Sequence, residues 1–323
     1  MYPSILELLH PQRLRELLTD SNGKFLSATE QSEKITQCLQ RIETEYEHHT
    51  NHPGAIVELD TKTKHSQYNI PARTITIKSS ERFGGVQYIW EWAHEHGHHE
   101  QSNRNNKNIN YIMAQISREF YPNRATNIFG HATPEYGSHY NEILARTASL
   151  KALTQAYYEL TTQHDFTVED RETLLPQYEE CWLQAKTYQE VFNIDKIISF
   201  NKKQLKQYNP EDAVFIDMPR EDVQQFLNKN SHKLYLKAFN DFQKAIKEFS
   251  VVIKQMRDEI GPKREQTKSY QEELLRIHKY SVKPLSHSTA ATNPTEPPQQ
   301  EFTVPLTGKQ YYFDNNLNEI DDR

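Results

Sequence analysis

Cysteine is almost missing from this chain of 323 residues: there are two, Cys38 and Cys181, far apart and without a C-x-x-C partner. That excludes a disulfide scaffold and a thiolate zinc site, and it points to a reducing compartment. Long apolar runs are lacking too. Nowhere do ~18 apolar residues follow one another, so no ordinary membrane span is expected, and the N-terminus carries no signal-peptide apolar segment. A soluble protein is the expectation. Nor is there an excess of positive charge: 38 basic residues stand against 44 acidic ones, for a net charge of −6. No run of Lys and Arg interleaved with aromatics could track a phosphate backbone, so nucleic acid is not an expected partner. Apolar residues reach only 36% while 25% are charged, which predicts a helix-rich protein with a thin core and polar extensions.

What is present is helical periodicity. Ile5, Leu8, Leu9, Leu14, Leu17 and Leu18 predict one amphipathic helix over residues 1–20, and Ile35, Cys38, Leu39 and Ile42 a second over 28–48. Residues 55–59 and 72–78 read as strands of a small antiparallel sheet, the latter from the alternation of Thr74 and Thr76 with Ile75 and Ile77. After Gly84 and Gly85, apolar Val86, Ile89, Trp90 and Ala93 recur at helical spacing as far as His99. Residues 101–137 look loop-like, with one short helix over 111–120, and further helices are expected over 138–160 and 168–192. From Tyr235 through Phe239, Phe242, Ile246, Phe249, Ile253 and Met256 to Ile260, steps of four and three draw a coiled-coil-like seam. Gly261 and Pro262 stop that helix, and Tyr270, Leu274 and Ile277 predict another that folds back on it. Pro284, Pro294, Pro297, Pro298 and Pro305 then mark a linker, followed by an acidic tail. The expected fold class is therefore α+β and mainly helical, with the small antiparallel sheet packed on the helix of the motif described next. The expected units are 1–200, a helical region at 201–282, and a Pro-rich linker and tail at 283–323.

The chemistry sits in Trp90-Glu91-Trp92-Ala93-His94-Glu95-His96-Gly97-His98-His99. His-Glu-x-x-His on a helix places His94 and His98 on one face, where two imidazoles can share one ion, with Glu95 a step round from them. Zn²⁺ takes neutral imidazole nitrogens, keeps an open position in a three-ligand site, and lowers the pKa of water toward ~7. A carboxylate beside it can take the water's proton as the oxygen attacks a carbonyl. Gly97 is expected where another backbone packs closely. His96 and His99 point away from the shared face and read as neighbours of the site. His48, His49 and His52 read as a solvated loop.

On these residues the chain resembles the zincin metallopeptidases, and more narrowly the gluzincins, over roughly residues 55–150. In that family a second helix supplies a glutamate ligand in an Asn-Glu-x-x-Ala-like setting, which Asn141, Glu142 and Ala145 match. The resemblance implies one zinc ion held by His94, His98 and Glu142, with Glu95 as general base; His131, Glu135 and His139 are rival third ligands. Arg146 stands where an acidic residue is common, which puts the acidic partner of a zinc-bound histidine in doubt. The metzincin variant would need a histidine at Arg104. The resemblance further implies an edge strand, matched by position to 72–78, that pairs with an extended substrate, and an oxyanion-assisting residue among Tyr136, His139 and Tyr140.

The implied function is a zinc endopeptidase acting on a protein substrate. With its long helical region and no secretion signal, the chain is also similar to metalloprotease effectors that bacteria inject into host cells, one of which cleaves actin. That similarity implies a host cytosolic, cytoskeletal substrate and either a cytoplasmic location or delivery into a host cytosol. Two other readings stay open. One is a helical interaction module around 231–282 with a structural or vestigial zinc site; the other is a zinc hydrolase of non-peptide amides.

Overall fold

The computed structural model describes residues 2–60, 62–63, 65–78, 84–102, 109–120, 139–261, 312–313 and 319–320. The expected hairpin partner at Tyr270–Ile277 and the Pro-rich linker lie outside them. In chain order the main elements are α1 (Pro3–Leu9), α2 (Pro11–Leu17), α3 (Ala28–Thr50), β1 (Ile56–Asp60), β2 (Gln67–Asn69), β3 (Thr74–Lys78), α4 (Gly85–Ser102), α5 (Ile109–Phe120), α6 (Tyr140–Leu160), α7 (Val168–Val191), α8 (Ile194–Leu205) and α9 (Arg220–Ile260). Tyr312–Phe313 and Glu319–Ile320 form a separate antiparallel pair. The fold is α+β and mainly helical, as composition and periodicity predicted.

Three local expectations change. The single helix over 1–20 is two helices, because Pro11 cannot donate to the preceding turn and forces His10 out of the helical region, to φ −72° and ψ 114°. The sheet is mixed rather than antiparallel. Its order is β1-β3-β2, with β1 parallel to β3 and β2 antiparallel to it. β2 was missed because Gln67-Tyr68-Asn69 is too short and polar to show a period of two. Finally, β3 is the central strand, so it is not the edge that could pair with a substrate.

Where polar side chains close helix ends, they follow ordinary capping chemistry. Ser27 and Glu30 form a capping box on α3, and Thr167 and Asp170 another on α7. One core runs through the molecule, from Ile5, Leu8 and Leu9 of α1 through Val57, Ile75 and Ile77 of the sheet to Phe249, Ile253 and Met256 of α9. The apolar seam of α9 is buried against α6 and α7, with the Phe249 ring stacked on Tyr178 at 5.2 Å between centroids. That seam is core. Among the described residues, no helix is long and apolar enough to cross a membrane.

Helix α4 lies at the centre of this arrangement. One end abuts α1, where a Cβ on Gly85 would stand 1.9 Å from the Leu8 carbonyl oxygen. Midway, a Cβ on Gly97 would stand 3.0 Å from the Ala145 Cα, so glycine lets α4 and α6 approach backbone to backbone. This close crossing, braced by Ser149 Oγ donating to the Trp90 carbonyl at 3.0 Å, sets α4 and α6 side by side.

Candidate metal centre

Because α4 and α6 cross so closely, Glu142 in the first turn of α6 reaches the face of α4 that carries His94 and His98. Its Oε2 lies 3.2 Å from His94 Nε2 and its Oε1 3.1 Å from His98 Nε2. The two imidazoles stand 4.8 Å apart, nearly perpendicular at 87°. The ligand atoms of all three residues fall within 4.8 Å of one another, so this group could hold a metal ion.

The protonation states fit a cation. Gln101 donates its Nε2 to the Asn141 carbonyl at 3.0 Å, which turns its Oε1 toward His98 Nδ1, 3.3 Å away. An amide oxygen only accepts, so His98 carries a proton on Nδ1, which leaves Nε2 as the nitrogen turned to Glu142. Burial holds His94 below its usual pKa and outweighs the opposing pull of Glu142. Glu142 is 1% exposed; burial pushes its carboxyl up, but His98 and His94 outweigh that and hold it well below the usual carboxylate range. Glu142 thus lies within contact distance of both imidazoles, in an arrangement that falls outside hydrogen-bond geometry for either of its buried oxygens. A divalent cation between the three residues would draw the two Nε2 atoms and a carboxylate oxygen to itself as ligands.

Glu95 sits beside this group and is buried. Burial first, then the charges of Glu142 and Glu91, push its carboxyl well above the usual range; Arg146 and the Tyr68 backbone amide oppose the rise. A divalent cation between the ligands would oppose it further. Arg146, in the place of the expected acid, stacks its guanidinium 3.3 Å from the Tyr188 ring centroid, with Nη2 3.7 Å from Glu142 Oε2. Its charge is directed at Glu142, whereas the orienting partner of His98 is Gln101.

Other sequence candidates lie elsewhere. His131, Glu135 and Tyr136 are outside the described residues. His139 caps α6 and is 1% exposed, and burial lowers its pKa to about 3. The Tyr140 hydroxyl donates to Asn110 Oδ1 at 2.7 Å, and its ring meets Tyr235 edge-on at 5.6 Å, so it packs against α5 and α9. His48 and His49 are exposed, and His52 is half-buried in the loop after α3.

His96 and His99 do point away from the metal face, and each has a partner that sequence reading missed. Glu43 of α3, fully buried, accepts from Trp92 Nε1 at 2.8 Å, from His96 Nδ1 at 2.8 Å and from the Ala55 backbone at 2.9 Å. His99 bonds the Pro53 carbonyl through Nε2 at 2.8 Å and the Tyr68 hydroxyl through Nδ1 at 2.9 Å. Gln101, three residues after His98, could have been found from helical spacing. Glu43 and Tyr68 carry no local signal, because they reach α4 only through the tertiary fold.

The chain matches no family model, no curated protein and no solved structure.

Proposed function

We propose that this protein is a zinc-dependent peptidase, with His94, His98 and Glu142 as metal ligands and Glu95 as general base. The observation that carries the reading is the convergence of two imidazoles and a buried carboxylate, their ligand atoms within 4.8 Å of one another, beside a second buried carboxylate. A bound zinc ion supplies Lewis acidity, polarising a carbonyl and bringing the pKa of water toward ~7. Glu95 takes the proton of the attacking water and passes it to the leaving amine, a transfer suited to a carboxyl whose proton affinity burial has raised. Arg146 holds charge balance at Glu142, and Gln101 fixes the His98 ring.

The substrate is an extended protein segment, and it docks along β2. Among the described residues β2 pairs with β3 alone, leaving its other edge open next to Glu95. Against a purely structural zinc site stands Glu95 itself, since a structural site needs ligands but no buried carboxylate at its side. Against an interaction module on the α9 seam stands the burial of that seam by α6 and α7.

The test is metal dependence. The purified protein should carry about one zinc per chain by elemental analysis. It should cleave unfolded casein, or actin, which the resemblance to injected effectors suggests as a substrate. Chelator should abolish cleavage and added zinc restore it. Cleavage that survives complete removal of metal would overturn the reading.

A further inference from the structure

Tyr68 lies on the open edge strand, with its backbone amide toward Glu95 and its ring packed edge-on to His99 at 5.3 Å between centroids. In a β-strand the N–H and C=O of one residue point to the same side, so the Tyr68 carbonyl also lies on the free edge. Its side chain is tied down. The Pro53 carbonyl can only accept, so His99 carries its proton on Nε2, and Nδ1 therefore accepts from the Tyr68 hydroxyl at 2.9 Å. Ser102 Oγ lies 3.2 Å from the same hydroxyl. A continuous chain thus joins the loop before β1, helix α4 and strand β2, starting one residue after the ligand His98.

We infer that Tyr68 and His99 are positioning residues that hold the free edge of β2 at the height over Glu95 where an extended substrate strand can pair with it. The inference rests on the peptidase reading and adds to it the device that sets substrate register. A strand of three residues, paired among the described residues on one side, gains from this tether a fixed distance from α4. The tether couples main-chain recognition to the catalytic carboxylate through one tyrosine, whose ring is anchored, whose amide meets Glu95 and whose carbonyl is left for the substrate.

Tyr68→Phe keeps the ring and removes the hydroxyl, and His99→Phe keeps an aromatic ring while removing both hydrogen bonds. Each variant is compared with the intact protein on an extended peptide and on a blocked dipeptide amide too short to reach β2, with zinc content measured alongside. We expect zinc to stay at the wild-type level, kcat/KM on the extended peptide to fall about tenfold through KM, and kcat/KM on the short substrate to fall much less. An equal fall on both substrates, or no fall on either, overturns the tether. A wild-type chain that cleaves neither substrate removes the peptidase reading itself, an outcome distinct from failure of the tether alone.

Discussion

Glu142→Ala is expected to empty the centre of metal and abolish cleavage. The residue supplies the only anionic ligand of the group and is the only one contributed by α6. Loss of a group that merely orients a ligand costs metal sites about 10–100-fold in affinity, and loss of the ligand itself should cost more. Titration with zinc in a competing chelator reads the difference directly. Folding should survive, because the contacts that alanine removes are those to His94, His98 and Arg146, within the centre itself. Wild-type zinc affinity in this variant would assign the third ligand to another residue.

Glu43→Ala is expected to destabilise the fold by about 3–5 kcal/mol, since each buried donor left without an acceptor costs about 1–3 kcal/mol. Burial alone would push the Glu43 carboxyl up, but bonds from His96, the Ala55 amide and Trp92 hold it below its usual range, so the native state contains the anion. Without it, three buried donors on α4 and at the start of β1 lose their acceptor at once. At about 2–4 °C per kcal/mol for a chain of this size, the midpoint of thermal unfolding should fall by roughly 10 °C. Zinc stoichiometry at low temperature should not change, since Glu43 touches His96 rather than a ligand. A midpoint within a degree or two of wild type would show that the Glu43 cluster contributes little to holding α4.

What the sequence revealed follows from how local each signal is. The α4 motif was legible because helical spacing fixes which residues share a face, whereas Glu142 was named among rival ligands only through the resemblance of Asn141, Glu142 and Ala145 to the gluzincin pattern. The long α9 seam was also legible as a periodic stripe, but not what covers it; α6 and α7 do so, and no local pattern says which helices meet. The sheet was read least well. Two apolar strands were found, whereas the polar strand β2 was hidden and its insertion beside β3 changed both the sheet type and the identity of the edge. Glu43 and Tyr68 act on α4 from 53 and 31 residues away in sequence, through contacts that exist only once α3 and the sheet are in place. Arg146 departs in sequence from the acid that the zincin resemblance implies, but its stacking on Tyr188 and its approach to Glu142 exist only in the fold.

The most direct test of the central claim is peptide cleavage and zinc content measured on the same preparations of the wild type and Glu95→Gln. Glutamine preserves size and leaves His94, His98 and Glu142 in place, but it cannot take a proton. The variant should therefore keep its zinc while losing about 10²–10⁴-fold in kcat, the range expected for a lost general base. Cleavage by Glu95→Gln at the wild-type rate, with zinc bound, would contradict the assignment of Glu95 and with it the proposed peptidase chemistry.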